Sequence, residues 1–374
     1  FKAALVLLRR LFCFANGANV EIYFRIPTVF FWLPSRSHHS TIFPMVRIAI
    51  NGFGRIGRSL MRVLVHEPQI EVVAINDLAS AENLAHLLKY DTTHRLFPED
   101  IQLNGEVLTV GKHKILLSHE AQVSNLNWKD LDLDLIIEST GKYKTSTHLE
   151  DHLKLAAKVI LSAPPQDDMK MIVMGINEES IQAEDRLLSN ASCTTNSAAP
   201  LIQVVEELCG IQHAFITTVH SYTTDQQLQD GPHKDFRRGR AAAESIVPTT
   251  TGAAKAITRI FPHLQGLIGG AGIRVPVPDG SLTDITFTVK KTASVEAVHN
   301  AFKAASEGRL KNYLGYTNEP IVSRDVIGST YSSWYDEELT TALGPMLKVV
   351  GWYDNEMGYS HRLRDLILYL KDRF

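Results

Sequence analysis

From residue 45 onward the chain alternates two hydrophobic patterns. Short apolar, β-branched runs occur at VRIAI (46–50), EVVAI (71–75), LDLIIEST (133–140) and KVILSAP (158–164). Continuous runs of this kind predict strands covered on both faces, as in a parallel sheet. Ile56, Leu60, Val63 and Leu64 recur at i, i+4, i+7 and i+8 and predict a helix after the first strand. A second crossover helix is predicted over about 146–156. RLLSNAS (186–192) then leads towards the apolar run LIQVVEEL (201–208), where Pro200 predicts a helix that kinks or starts in two pieces.

After that run the texture changes. AFITTVH (214–220), IRVPVP (273–278), DITFTVKK (284–291) and KVVGWYD (348–354) alternate more clearly, with longer polar connections between them. They predict a mixed or antiparallel sheet with one covered face. The last stretch, YSHRLRDLILYLKDRF, sets Leu363, Leu366, Ile367 and Leu370 at helical spacing and needs an apolar partner. Packing back on the first group of strands supplies one.

Glycines sharpen the first half. NGFGRIG (51–57) follows the first strand directly, and the second strand ends in Asn76 and Asp77. Strand, Gly52-x-Gly54-x-x-Gly57, helix, strand and an acid 20 residues beyond the last glycine make up a dinucleotide fingerprint. The backbone must turn tightly there and let a pyrophosphate approach the helix N-terminus. Asp77 would accept hydrogen bonds from ribose hydroxyls and repel a 2′-phosphate, which selects NAD over NADP; the other reading of Asp77 is a turn residue. Ser139, Thr140, Gly141 and Ser162 would line the cofactor crevice at the strand ends.

The fold class is therefore α/β, with a Rossmann-type dinucleotide-binding domain over 45–193 and an α+β catalytic domain with a mixed sheet over 194–358. The helix of 359–374 returns to the first domain. The whole sequence has 374 residues, 44% hydrophobic and 21% charged, enough for two substantial cores. Residues 1–44 differ in texture: they crowd aromatics in PTVFFWLP (27–34) and carry five Lys/Arg against one acid. They are expected to be an atypical extension, either an upstream artefact or a targeting segment. Without them 33 basic and 40 acidic residues remain, which argues against nucleic acid or an anionic membrane as the main partner. Three cysteines, Cys13, Cys193 and Cys209, are too few for a disulfide framework or a four-thiolate zinc site, so a reducing, cytoplasmic compartment and no metal are expected.

Cys193 lies in SNASCTTNSAAP (189–200), where the N-cap types Asn190 and Ser192 place it in the first turn of a helix. Such a site lowers a thiol pKa, and so does a nearby imidazole. Taken alone, Cys193 is either a nucleophile or a buried structural cysteine. His220 is the candidate partner, because it ends a strand and opens the polar loop of 221–240. That loop supplies Thr223, Asp225, His233, Arg237, Arg238 and Arg240, and PTTTGAAKA (248–256) adds hydroxyls and a glycine before a helix. These groups suit phosphate, although RRGR is also compatible with a solvated turn. A nicotinamide site, a thiol and an imidazole together suggest aldehyde oxidation through a thioester.

With these residues in hand, the chain closely resembles the phosphorylating glyceraldehyde-3-phosphate dehydrogenase family. The likeness runs in order through AINGFGRIGR, IND, ESTGKY, SNASCTTN, TTVHSYTTDQ, PHKDFRRGRAAAESIVPTTTGAAKA, RVPVP and WYDNEMGYSHR. It implies a cytoplasmic homotetramer that converts glyceraldehyde 3-phosphate, NAD and inorganic phosphate to 1,3-bisphosphoglycerate and NADH. By matching motif it implies Cys193 as nucleophile and His220 as activator and acid/base. Thr223, Asp225, Arg238 and Arg274 would hold the substrate phosphate; Ser192, Thr194, Thr251, Gly252 and again Arg274 would surround the attacking phosphate. Asn51, Gly52, Gly54, Arg55, Ile56, Gly57, Asp77, Thr140, Gly141 and Asn355 would contact NAD, the Asn355 amide fixing the nicotinamide face. Leu78 and Pro232 resemble the NAD-selective members.

The chain departs from the family at three places. His94-Arg95-Leu96 replaces His-Gly-Arg, displacing an arginine expected near the adenine; Asp279-Gly280-Ser281 replaces Asn-Val-Ser; and Ser197 replaces a second cysteine one helical turn from Cys193. Erythrose-4-phosphate dehydrogenase is the nearest alternative activity, echoed in AITRIFP (256–262). A non-catalytic NAD-binding or moonlighting protein is the alternative of another class.

Overall fold

A computed structural model describes residues 45–373. The expectation for segment 1–44 lies outside the described residues. The chain runs β1 (Val46–Asn51), α1 (Arg55–Leu64), β2 (Ile70–Asn76), α2 (Ala81–Lys89), β3 (Ile101–Asn104), β4 (Val107–Val110), β5 (His113–Ser118), β6 (Leu133–Glu138), β7 (Ala156–Leu161), β8 (Lys170–Met171) and β9 (Leu187–Ser189). These strands form one sheet in the order β8-β9-β7-β6-β1-β2-β5-β4-β3. Every pairing from β8 to β5 is parallel, and β4 and β3 add an antiparallel edge. The order reverses at β1, which sits between β2 and β6. Register pairs Asn51 with both Asn76 and Glu138, so three strands end at one level. A crevice at such a switch point is where open α/β sheets bind ligands.

The second half runs α3 (Cys193–Cys209), β10 (Ile211–Ser221), β11 (Val247–Thr249), α4 (Ala253–Ile260), β12 (Ile268–Val275), β13 (Ser281–Val289), α5 (Val295–Glu307), β14 (Leu314–Thr317), β15 (Ser333–Asp336), β16 (Met346–Tyr353) and α6 (Met357–Leu370). Its strands order as β11-β12-β10-β13-β16-β15-β14. β10 pairs with β12 in parallel and with β13 antiparallel, so the sheet is mixed. Along β13 buried and half-buried residues alternate strictly, the period-2 pattern of a sheet with one covered face.

α3 lies between this sheet and helices α4 and α5. It is a single helix of 17 residues, not two pieces, with Pro200 inside it. Pro200 removes one backbone bond, yet Ala198, Ala199, Leu201, Ile202, Val204 and Val205 are all buried around it. Burial of that many apolar side chains, each contributing about 1 to 3 kcal/mol for the larger ones, outweighs the lost bond. In α6, Tyr359, Leu363, Leu366, Ile367 and Leu370 join one core with Ile48 and Ile50 of β1 and Leu60 and Leu64 of α1. The helix thereby anchors Asn355, two residues before it, against the first sheet.

Two local expectations change. The helix predicted over about 146–156 is instead two 3-10 turns, Thr147–Leu149 and His152–Lys154. Leu149 and His152 are buried three residues apart, and His152 turns inward to Glu138. Residues 78–132, for which the sequence suggested no element, hold α2 and the β3-β4-β5 meander. The Asn104-Gly105 dipeptide, with Gly105 at φ +58°, was the available hairpin signal.

Candidate active site

A polar chain fixes the strand ends of the first sheet. Asn76 Nδ2 donates to Asn51 Oδ1 (2.8 Å), and Asn51 Nδ2 donates to Glu138 Oε2 (2.6 Å). Glu138 Oε1 accepts from the Thr140 amide (2.8 Å), and His152 Nε2 lies 2.9 Å from Glu138 Oε2. Asn51, Glu138 and His152 are essentially fully buried, and the residue patterns of the sequence did not mark Glu138 or His152 as supports. Gly52 has φ +98°, and a Cβ there would stand 2.5 Å from the Thr140 nitrogen. A Cβ on Gly57 would meet the Gly52 carbonyl oxygen at 2.3 Å. Both glycines are thus obligatory, one for backbone conformation and one for close packing.

Asn51, Gly52, Gly54, Asp77, Leu78 and Thr140 line a cleft of about 320 Å³. Gly54 caps α1 with extended backbone and no side-chain cap, so the amides of the first turn are left for an anion. Asp77 Oδ2 accepts from the Phe53 amide (2.8 Å) and Oδ1 from the Ala79 amide (3.1 Å), closing the glycine loop. The glycine cradle, the free helix start and this carboxylate fit a dinucleotide. Gly141 follows at φ +72°, beyond the end of β6. The Arg55 guanidinium is committed elsewhere, to Asp91 (2.5 Å) and to Glu356. Arg95 lines a separate cleft with Arg62 and His66, away from Asp77.

Ile56, Ser192, Cys193, His220, Thr223 and Asn355 line a second cleft of about 500 Å³. Arg55 and Ile56, at the start of α1, border this cleft while Gly54 borders the first. Cys193 is the first residue of α3, with Ser192 as its cap: Ser192 Oγ accepts from the Thr195 amide at 3.0 Å. The turn into the helix is tight. Ala191 has φ +54°, and its carbonyl accepts from Tyr359 Oη at 3.1 Å. An alanine in that region costs on the order of 1 kcal/mol or more, strain that packing against α6 sustains.

Cys193 Sγ lies 3.4 Å from His220 Nε2. Register in the second sheet pairs His220 with Arg274, which brings the guanidinium beside the imidazole. Arg274 Nη1 donates to the Ser221 carbonyl (2.8 Å) and lies 2.6 Å from His220 Nδ1, which is itself 2.8 Å from that carbonyl. Burial and the Arg274 charge hold the imidazole down to about 3. Burial pushes the thiol up, while Arg274 and the hydroxyl and amide of Thr194 pull it down. Cys193 is only partly covered, which limits the burial effect, and the N-terminus of a 17-residue helix favours its anion. With the imidazole neutral and burial raising the thiol, the resting proton stays on sulfur, and Nε2 at 3.4 Å is placed to receive it as Sγ attacks.

The remaining candidates divide into groups. Arg238 Nη1 meets Asp225 Oδ2 (2.5 Å), and Arg238 Nε donates to Thr249 Oγ1 (2.9 Å). β11 pairs with β12, so Thr249 lies beside Gly272 and this cluster adjoins the Arg274 strand. Thr251 and Gly252 precede α4, where Thr251 Oγ1 accepts from the Ala253 amide. Thr194 is turned inward, its hydroxyl 2.9 Å from Tyr353 Oη. Asn355 Oδ1 accepts from Ser221 Oγ (2.9 Å) and Ser281 Oγ (2.7 Å), which orients its Nδ2 as the remaining donor. Residue patterns alone singled out neither serine.

Ser197 is fully buried, bonded to Thr283 Oγ1 (2.9 Å) and Ser333 Oγ (3.2 Å). Cys209 ends the same helix, sixteen residues beyond Cys193, hence about 24 Å away at 1.5 Å per residue. That exceeds any disulfide span. Peroxide treatment is accordingly expected to carry Cys193 to a mixed disulfide or to over-oxidised acids. Peptide mapping checks this, and a Cys193–Cys209 cross-link within one chain would contradict it.

Two family models match the chain: the glyceraldehyde 3-phosphate dehydrogenase NAD binding domain over residues 46–146 and the C-terminal domain over 192–355. The glyceraldehyde-3-phosphate dehydrogenase of Geobacillus stearothermophilus is 48% identical over 331 residues, covering 88% of this chain and 99% of the relative. That of Mycobacterium avium is 49% identical over 330 residues, covering 86% and 97%. Glyceraldehyde-3-phosphate dehydrogenase 1 of Bacillus cereus is 46% identical over 332 residues. The glycine cradle, the Cys193–His220 pair and this likeness along both halves agree: the chain belongs to the glyceraldehyde 3-phosphate dehydrogenase family.

Proposed function

We infer that the protein is an NAD-dependent enzyme that oxidises and phosphorylates glyceraldehyde 3-phosphate to 1,3-bisphosphoglycerate. The observation that carries this reading is the 3.4 Å contact of Cys193 Sγ with His220 Nε2 at a helix start, in the cleft that Asn355 lines. Sγ attacks the aldehyde carbon as its proton passes to Nε2, and Nε2 hands that proton on to the former carbonyl oxygen, giving a hemithioacetal on Cys193. His220 then takes the hydroxyl proton as the C–H bond yields hydride and the thioester forms. NAD supplies the hydride acceptor when bound, with Asn355 and the start of α1 holding it. Inorganic phosphate attacks the thioester carbon, the C–S bond breaks, and Cys193 is regenerated. Arg274, Arg238, Asp225 and Thr223 hold the substrate phosphate; Ser192, Thr194, Thr251, Gly252 and Arg274 receive the attacking one. Asp77 selects NAD by refusing a 2′-phosphate.

We assign residues 45–193 to cofactor binding and 194–358 to catalysis, with a homotetramer in the cytoplasm as the working assembly. Among the described residues no helix is long and apolar enough to cross a membrane. NADH formation with glyceraldehyde 3-phosphate or erythrose 4-phosphate, each with and without inorganic phosphate, tests the reaction. Strong phosphate dependence with the three-carbon aldehyde is expected. Turnover indifferent to phosphate, or faster with the four-carbon sugar, would move the assignment to erythrose-4-phosphate dehydrogenase, and no NADH at all would leave a binding protein.

A further inference from the structure

Beside the catalytic cleft three buried side chains of metal-ligand type converge from distant parts of the chain. His94 comes from the loop after α2, Asp279 from the turn before β13 and Glu356 from the start of α6. His94 Nε2 lies 2.9 Å from Glu356 Oε2 and 3.7 Å from Asp279 Oδ2. The three ligand atoms all fall within 4.8 Å of one another. Bonds of about 2.0 to 2.2 Å in a tetrahedron set ligand atoms roughly 3.3 to 3.6 Å apart, so shifts of about half an ångström would close this trio on one ion.

Burial gives the cluster a second, independent feature. The side chains of His94, Asp279 and Glu356 are 4%, 0% and 10% exposed. Asp279 Oδ1 accepts from the Gly280 amide at 2.8 Å, but Oδ2, aimed at His94, is buried without a hydrogen-bond partner. An orphaned carboxylate oxygen in the interior is costly unless something positive reaches it. Arg55 does not: its fork is spent on Asp91 and Glu356. Asp354, whose oxygens accept from the Gly328, Glu356 and Met357 amides, faces Asp279 as a second carboxylate, and burial together with this neighbour favours a proton on Asp279 that a cation would displace. Four carboxylates, Asp91, Asp279, Asp354 and Glu356, thus gather around His94 and Arg55, with Arg58 also acting on Asp91 and Glu356.

We propose that His94, Asp279 and Glu356 form a site for a divalent transition cation, with Zn²⁺ the best match. One imidazole and two carboxylates without thiolate suit Zn²⁺ and its first-row neighbours. Glu356 Oε1 remains with Arg55 Nε (2.8 Å), while Oε2, which otherwise accepts from Arg55 Nη2, exchanges that bond for the ion. A cleft of about 610 Å³ lined by Thr93, His94 and Gly328 reaches the site at His94 and would admit the ion with a water as its fourth ligand. The cation would clamp three chain segments next to Asn355, stiffening the nicotinamide end of the cleft without entering the reaction. The sequence concealed this set because its members are 185 and 77 residues apart.

Zinc binding to the full chain carrying Cys193→Ser tests the proposal, since that background removes the thiol that would compete for the ion. After chelator stripping, equilibrium dialysis against Zn²⁺ with a competing chromophoric chelator is expected to give one ion per chain and a raised Tm. Asp279→Asn and His94→Gln, each added to that background, are expected to weaken binding at least tenfold and to abolish the thermal shift. Zinc-edge anomalous diffraction from soaked crystals should place a peak between the three side chains, a readout that stands even where a variant folds poorly. Less than one ion per chain, unchanged affinity in both variants, or a peak elsewhere only would overturn the site.

Discussion

Cys193→Ser is expected to lower phosphate-dependent NADH formation by about 10⁴-fold or more, because a serine hydroxyl at this position has no accessible anion near neutral pH. The helix start, Arg274 and the neighbouring imidazole can bring a thiol to its anion, but a hydroxyl ionises far too weakly for the same environment to suffice. The acyl intermediate would also change from thioester to a less reactive oxygen ester. Steady-state rates measure the loss, and the dinucleotide cleft, lined by Gly52, Asp77 and Thr140, should still bind NAD, as followed by fluorescence titration. A loss under tenfold would remove the thiol from the reaction.

His220→Asn is expected to cost about 10² to 10⁴-fold in kcat, the usual range for losing a general acid/base. It should also change the nucleophile itself. In the intact pair the proton on Sγ has Nε2 3.4 Å away to receive it. The imidazole is held down to about 3, by burial first and then by Arg274, so it is neutral throughout the neutral range and receives the thiol proton only as Sγ attacks. Without it the thiol keeps burial, Arg274 and Thr194, the largest of which raises its pKa, and loses the proton acceptor 3.4 Å away. The rate of Cys193 alkylation by iodoacetamide should therefore need a higher pH to reach half its maximum in the variant. An unshifted alkylation profile, with kcat reduced, would confine His220 to the later hydride step.

His220 also bears on acid stability, together with His361 of α6. His220 and His361 are both held below their ordinary value, at about 3 and about 4, with burial the first cause in each. In the unfolded chain each would bind a proton near pH 6.5, so between there and about pH 3 to 4 the unfolded state binds more protons. Their contribution to stability is present at neutral pH and is lost as pH falls through that window.

Much of the fold was readable along the chain because its strands are dense apolar runs and its glycine loop has one workable geometry. VRIAI, EVVAI and LDLIIEST could only be strands buried on both faces, and Gly52 and Gly57 had no room for a Cβ once the loop turned. The chemistry-bearing residues Cys193 and His220 were legible too, since each stands at the end or start of a regular element, whereas Arg274 came only from the family resemblance. Where local pattern misled, tertiary contact had the larger energy: buried neighbours carry α3 through Pro200, and the inward turn of His152 to Glu138 breaks the expected crossover helix into 3-10 turns.

What the sequence determined by itself is the set of elements and the residue types capable of reaction, because both follow from local periodicity and from side-chain chemistry. The tertiary structure alone decided which of those side chains meet. Arg274 reaches His220 only through the register of β12 on β10, Ser221 and Ser281 orient Asn355 only because β10 and β13 run side by side, and His94, Asp279 and Glu356 become neighbours only when three loops fold onto one point. Such contacts depend on the packing of whole layers, whose free energy is spread over the cores of both sheets and leaves no mark at any single position of the chain.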